Sequence, residues 1–365
     1  MTKPYLGIIC YKKRWKSLSS PKGKLKRQLK YIEAAGKENG VIPCFVRLSH
    51  ISSGKEKIQA YIKGKDGYEL QKIPCPDVFY NRVLDSPSKR PKIKRLTDAG
   101  KIIFNMINAD FTRGKYVIWK LLNENPEIRP HLPVTKKATV ENLLKMMNRY
   151  DSLIVKPDTG ATGFGVMSLV NGGESWCLSL TNDKRGWEDI HFKGKLPEIL
   201  EQRITDYAYI IQERIPLATY KEEPFDIRTV VQKNKLGIWE TTGYIAKVAG
   251  KGRLITNLTR GGTSFPLEEI LSSHPSLTYE KAAENISAFA VKTAGYLSKK
   301  YPDLGDLGMD IGITSEGFPF FIEVNYMSDY DTLCFRNDKL ISKRWEKIYK
   351  TPIEYGAYLI EQIDQ

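Results

Sequence analysis

The sequence predicts an α/β protein that becomes α+β toward its C-terminus, on three observations. The first hundred residues alternate short apolar runs with stretches of helical periodicity. A glycine-rich stretch over 158–165 sits between two extended runs, and strand-like runs dominate after Tyr209, closing on an apolar pair over 308–325. Strand–helix–strand order implies parallel neighbours, because only a crossover returns the chain to the same end of a sheet. At 365 residues, 41% of them apolar, the chain can supply two or three separate cores.

Tyr5–Cys10 reads as the first strand. Leu25, Leu29, Ile32 and Gly36 then recur at helical spacing up to Gly40, and Val41–Val46 is the next strand, completing a βαβ unit. In IPCPDVFYNR (73–82) a strand follows the prolines at Asp77–Tyr80, a basic helix lies near 90–100, and Lys101–Asn105 is again extended. KYVIWKLLNEN (115–125) is a helix stopped by Pro126, with another helix near 139–150. The section Asn171–Leu196, rich in Gly, Asp, Lys and Trp, reads as loops. Strands follow at Tyr209–Gln212, Asp226–Gln232 and Leu236–Lys247. The helix Tyr279–Leu297 carries Ala282, Ile286, Phe289, Thr293 and Tyr296 on one stripe, and a terminal helix begins near Ile353.

The formal net charge is +15, unevenly placed: residues 1–30 hold ten Lys/Arg and no Asp or Glu, and Lys89, Arg90, Lys92, Lys94 and Arg95 form a second cluster. Such charge either draws an acidic macromolecular partner to the basic N-terminal region or is a solvated face. Aromatics such as Trp15 are too sparse there for a base-stacking platform. The five cysteines, Cys10, Cys44, Cys75, Cys177 and Cys334, are scattered with no CxxC pair, as expected of reduced thiols. No apolar run approaches the ~18 residues of a spanning helix, and the N-terminus has no secretory h-region. These features predict a cytoplasmic protein with no membrane span.

The chemistry begins at LIVKPDTGATGFGV (153–166). A P-loop places its lysine after the glycines and opens a helix; a dinucleotide fingerprint also opens a helix. Here Lys156 precedes Gly160, Gly163 and Gly165, and Val166–Val170 is extended. The glycines therefore join two antiparallel strands, as a flap whose backbone N–H groups approach phosphates with Lys156 beneath them. In GMDIGITSEGFPFFIEVN (308–325), a two-residue type I′ turn at Glu316–Gly317 sets Asp310 opposite Glu323, with Asn325 on the same face. Paired carboxylates so placed repel unless a positive group joins them, and a hard cation with oxygen ligands suits two carboxylates and an amide.

These segments together resemble the ATP-grasp superfamily of carboxylate–amine ligases over about residues 105–345. RGKYVIWKLL, LIVKPDTGATGFGV, the series IIQERI, FDIRTVV and GYIAKVAGKGRLITNLTRGG, and then GMDIGI with FFIEVN are similar to RimK-type enzymes. PCPDVFYNR with GIICYKK resembles more narrowly the YheC/YheD type, described as endospore coat-associated. The resemblance implies an ATP-grasp fold: an N-terminal parallel βαβ domain over 1–107, then α+β subdomains over 108–211 and 212–365 that clamp ATP. It implies that Lys115 and Lys156 hold the phosphates, and that Thr159, Gly160, Thr162, Gly163 and Gly165 belong to the flap. Gln212, Glu213 and Ile215 then meet the adenine, while Asp310, Glu323 and Asn325 hold one or two Mg²⁺ ions, with Mn²⁺ as the alternative. Arg228, Lys247, Asn257 and Arg260 fall near the terminal phosphate and the acyl group. D-alanine ligases carry an arginine where this chain has Gly308, which makes Arg260 the substitute for holding the oxyanion. The acidic run YMSDYD (326–331) favours an amino or basic acceptor.

The expected activity is ATP-dependent amide or peptide bond formation through an acyl phosphate, from small-molecule or peptide carboxylates and amines. The histidines, His50, His131, His191 and His274, are dispersed and form no acid–base constellation. Two alternatives stand beside it: a catalytically silent ATP-binding structural protein of the spore coat, and a basic nucleic-acid-binding protein.

Overall fold

The computed structural model of the chain describes residues 3–51, 54, 56–84, 86–106, 114–160, 163–182, 186–272, 274–327 and 343–363. The first apolar run forms β1 (Tyr5–Ile9), followed by α1 (Lys12–Ser17), α2 (Gly23–Glu38) and β2 (Ile42–Val46). β3 (Lys57–Lys63) and β4 (Tyr68–Pro74) form an antiparallel hairpin, and β5 (Val78–Asn81), α3 (Arg90–Asp98) and β6 (Ile102–Phe104) follow. The sheet order is β4-β3-β2-β1-β5-β6. β1, β2, β5 and β6 are parallel, as strand–helix–strand order requires, whereas the β3–β4 hairpin adds an antiparallel edge. From β1 the chain first builds outward through β2, then crosses to β5 on the other side of β1.

The second sheet is antiparallel throughout, in the order β11-β10-β9-β8-β12-β7. Helix α4 (Lys115–Asn123) precedes β7 (Thr135–Lys137), and α5 (Val140–Met147) precedes β8 (Ser152–Pro157). β9 (Met167–Asn171), β10 (Trp176–Asn182), β11 (Gly186–Phe192), α6 (Glu198–Asp206) and β12 (Tyr209–Glu213) complete the unit. The glycine-rich stretch therefore does join two antiparallel strands, β8 and β9. The loops expected over Asn171–Leu196 are instead largely the β10–β11 hairpin. Leu178 and Leu180 alternate with Cys177, Ser179 and Thr181 and are buried, so period-two patterning outweighed the polar composition.

The third sheet runs β16-β15-β14-β17-β18, with β13 paired to β14. Its strands are β13 (Thr219–Tyr220), β14 (Glu223–Lys233), β15 (Trp239–Val248), β16 (Thr263–Phe265), β17 (Asp306–Ile313) and β18 (Pro319–Asn325). Between β16 and β17 lie α7 (Leu267–Leu271) and α8 (Tyr279–Lys300), whose Ala282, Ile286, Phe289 and Thr293 are buried on the stripe that the spacing predicts.

The last helix, α9 (Lys343–Ile363), begins ten residues before the expected Ile353. Pro352 lies inside the helix, where its missing N–H leaves the Ile348 carbonyl without the usual helical donor. Gln232 Nε2 donates to that carbonyl at 3.1 Å instead. Ile353, Tyr355, Ala357 and Ile360 of α9 pack with Leu6, Ile8, Leu29 and Ile32 in the core of the first sheet, while Trp345 and Ile348 pack with Val230 and Ile245 of the third. No helix among the described residues is long and apolar enough to cross a membrane.

Candidate nucleotide site

Strand register gathers the charges. Asp226 of β14 faces Lys247 of β15, Arg228 of β14 faces Asp310 of β17, and Asp310 faces Glu323 of β18. Asp226 and Arg228 are two residues apart and share a face, so a row of ionised groups crosses four neighbouring strands. Lys247 Nζ lies 2.8 Å from Asp226 Oδ1 and 3.0 Å from Asp310 Oδ1. Arg228 grips Asp310 with both ends of its fork, Nε to Oδ1 at 2.6 Å and Nη2 to Oδ2 at 3.1 Å. The Thr256 hydroxyl donates to Asp226 Oδ2. Burial pushes the Asp226 carboxyl up, with Lys247 opposing. Burial acts the same way on Asp310, but Arg228 and Lys247 together hold it well below the usual carboxylate range.

Asp310 and Glu323 are opposed, but not through the expected two-residue turn. Ile313 pairs with Pro319, and Thr314 donates to the Phe318 carbonyl at 3.1 Å, leaving a three-residue loop in which Gly317 takes φ +80°. That loop moves the register by one residue. A bulge between Asp310 and Ile311 on the ladder, where Ile322 is the extra residue of β18, moves it back.

Lys115 begins α4, and Asp158 at the end of β8 holds it there. The Asp158 carbonyl accepts the Lys115 N–H at 2.9 Å, and its carboxylate accepts the Tyr116 N–H at 2.7 Å. Lys115 Nζ then reaches the Gly160 carbonyl at 3.0 Å and approaches Glu323 Oε1 at 3.6 Å. Lys156 is buried on β8. Burial lowers its ammonium to about 8, with Glu323 opposing and Lys115 adding to the shift. Gly163 and Gly165 have φ of +69° and +72°, conformations that glycine alone adopts easily. A Cβ at Gly165 would also stand 2.7 Å from the Tyr209 hydroxyl. At the tip, Arg260 lies over the Phe164 ring with 5.4 Å to its centroid.

On β12 Gln212 is buried with its amide donating to Thr135 Oγ1 at 2.8 Å, and Glu213 Oε1 accepts the Val134 N–H at 2.9 Å. Both side chains thus fasten β12 to the segment around β7.

A cavity of about 880 Å³ is lined by Lys115, Lys156, Thr159, Gly160, Gly163, Gln212, Glu213, Ile215, Lys247, Asn257, Asp310 and Glu323. Those residues of the expected set are therefore brought together. Arg228, Gly165, Arg260 and Asn325 are not in its lining. Arg228 holds Asp310 at the cavity wall, and Arg260 stacks on the flap. Asn257 Oδ1 is taken by the Thr259 N–H at 2.9 Å, so its carboxamide N–H₂ is the end left to meet a ligand. Thr162 lies outside the described residues, as do residues 328–331 of the acidic run and Cys334. Sequence reasoning missed Asp158 and Asp226. The second was readable as the acid two residues before Arg228 on one strand face.

Among the described residues no three His, Cys, Asp or Glu side chains gather for a metal. Two opposed carboxylates and one amide still suit a hard divalent cation that takes its remaining oxygens from phosphate and water. The buried Asn325 side-chain nitrogen has no hydrogen-bond partner among the described residues, so turning its amide oxygen toward such an ion breaks no bond of that nitrogen.

A family model described as YheC/D like ATP-grasp matches residues 104–359. The chain is 26% identical over 339 residues to the endospore coat-associated protein YheD of Bacillus subtilis (strain 168), covering 87% of this chain and 71% of YheD. It is 22% identical over 323 residues to YheC of the same organism, covering 85% of each. The solved ATP-grasp ligase PsnB, complexed with a phosphomimetic variant of its minimal precursor, Mg and ADP, superposes with a TM-score of 0.52 at 13% identity, over 98% of this chain and all of that one. At that identity the shared property is the fold, and it bears out the ATP-grasp architecture that the motifs imply.

Proposed function

This chain belongs to the YheC/D-like ATP-grasp family, and from that premise we propose that it is an ATP-dependent carboxylate–amine ligase. The observation that carries the reading is the meeting, in one cavity, of two lysines and a glycine flap on one side with the Asp310–Glu323 pair on the other. A carboxylate oxygen of a small-molecule or peptide substrate attacks the γ-phosphorus of ATP, releasing ADP and leaving an acyl phosphate. The amine of a second substrate then attacks the acyl carbon, phosphate departs, and the nitrogen loses a proton as the amide forms.

Each group has a defined task. Lys115 and Lys156 bind and neutralise the phosphates, and flap N–H groups cover them. Gln212, Glu213 and Ile215 border the adenine. Mg²⁺ held by Asp310, Glu323 and Asn325 would supply further charge neutralisation between the phosphates. Lys247 and Arg228 fix the Asp310 carboxylate, and Asn257 faces the transferring end. The second step needs orientation more than proton transfer, which suits a site without an acid–base histidine.

One observation favours a second reading, an ATP-binding protein of the spore coat without turnover: the curated relatives are named as endospore coat-associated. Incubation with Mg-ATP and pooled amino acids and peptides separates the two. ADP release that requires an added substrate and disappears in Asp310→Ala supports the ligase; nucleotide binding without such release supports the coat protein. Nucleic-acid binding that falls steeply with salt and ignores ATP would support the remaining alternative.

A further inference from the structure

The basic segment that follows β1 is not simply a solvated face. It borders a second cavity, of about 730 Å³, at the end of the first sheet. Its position follows from topology. The chain builds β2 on one side of β1 and β5 on the other, so the connections leave β1 and β5 in opposite directions and open a crevice at their carboxyl ends. In open α/β sheets that is where ligands bind. Residues Cys10–Arg14, just past β1, and Arg82, just past β5, line this cavity.

Its chemistry is one-sided. Lys12, Lys13, Arg14 and Arg82 line it, and there is no Asp or Glu among its described lining residues. The acid that stands behind it, Asp306, is fully buried and engaged by Tyr80, Arg82 and Gln232. Arg14 donates to Gln28 at 3.2 Å, which fixes the arginine at the wall. The deeper wall is apolar, with Leu25, Ile32, Ile348 and Ile353 among its residues. Burial raises the Cys10 thiol to about 12, so Cys10 adds no negative charge to the wall at neutral pH.

We infer that this cavity holds an anionic ligand, a carboxylate carried on an apolar body. Met327 borders it and Glu323 borders the nucleotide cavity, four residues away on the same segment. An extended chain of that length spans at most ~14 Å, so the two bordering residues lie no farther apart than that. Calling it a substrate rests on the ligase reading; its binding does not.

Calorimetric titration of the full chain without nucleotide tests this, with phenylpropionate, phenylpropionamide and phenyl phosphate as probes. Phenylpropionate should bind, and the neutral amide at least about tenfold more weakly. Lys12→Glu/Lys13→Glu, two exposed positions, should weaken phenylpropionate by at least about tenfold while leaving Mg-ADP affinity unchanged. Lys26→Glu/Lys30→Glu, equally basic but outside the cavity, should bind the probe as the natural chain does. The inference is overturned if phenylpropionate fails to bind, if the amide binds as well, if the first variant keeps its affinity, or if the second loses as much. Phenyl phosphate binding about tenfold tighter would also overturn it, by assigning a phosphate site. Probe binding with no substrate-dependent ADP release would uphold the cavity and remove only the ligase reading.

Discussion

The Asp158 carboxylate, at the end of the strand that leads into the flap, accepts the Tyr116 N–H at 2.7 Å across 42 residues of chain. One side chain thereby caps α4, sets where Lys115 emerges and anchors the base of the flap. Asp158→Ala should cost about 1 kcal/mol of stability, the usual loss of a helix cap. It should also weaken Mg-ADP binding, because Lys115 is no longer held beside Gly160. Asp158→Asn, which keeps an acceptor oxygen, should recover most of both. Equal losses in the two variants, by thermal unfolding and calorimetry, would assign the effect to charge instead.

Asp226 is buried with Lys247 as its ion-pair partner at 2.8 Å. Lys247 keeps Asp310 at 3.0 Å when Asp226 is removed, so Asp226→Ala should cost less in urea unfolding than the roughly 3–5 kcal/mol of a fully stranded buried charge. The double variant Asp226→Leu/Lys247→Met removes both charges and should be distinctly more stable than the single one. A double variant that is no better than the single would locate the cost in lost packing.

How far the site was readable follows from what each residue depends on. Lys156 and the glycines lie within one short stretch, and Asp310 and Glu323 within one hairpin, so local spacing placed them. The opposition of Asp310 and Glu323 survived an incorrect turn because loop and bulge each shift the ladder by one residue, in opposite senses. Asp158 was not legible, because its partner lies on another element. Asp226 was readable as the acid two residues before Arg228 on one strand face, but its pairing with Lys247 was not, because an acidic residue in a strand looks the same whether or not a distant ammonium meets it. The early start of α9 was hidden by Pro352, whose cost is met by Gln232, 120 residues earlier in the chain. The β10–β11 hairpin is legible in the alternation of Leu178 and Leu180 with polar residues, which its Gly, Asp and Lys content masks.

Lys156 sets a pH dependence. Without nucleotide, burial holds its ammonium near 8, below the ordinary 10.5. Below about pH 8 it is charged in folded and unfolded chains alike, and burial penalises the folded one. Between about 8 and 10.5 the folded chain loses the proton first, so this group's contribution to stability rises with pH. Nucleotide binding follows the opposite trend, since the phosphates require the charged form. Mg-ADP affinity should therefore fall as pH rises above 8, with proton uptake on binding, while Lys156→Arg should stay flat over the same range. A wild-type affinity that is equally flat to pH 10 would detach Lys156 from the phosphates.

Two arginine–aromatic contacts join the second and third sheets over the cavity: Arg260 on Phe164 of the flap, and Arg253 on Trp187 of β11, 5.1 Å from the ring centroid. Phe164 is 58% exposed, so burial does not account for its position. Each contact contributes about 0.5–1 kcal/mol at an exposed site, and both act only when the two sheets approach. Phe164→Ala and Trp187→Ala should each weaken Mg-ADP binding by about two- to fivefold, mainly through faster release, and leave the unfolding midpoint of the free protein nearly unchanged. Arg260→Lys and Arg253→Lys keep the charge but lose the planar stack, so each should match the alanine variant of its own aromatic partner. Lysine variants with wild-type affinity, measured by stopped-flow release of a fluorescent ADP analogue, would mean that charge alone holds the flap down.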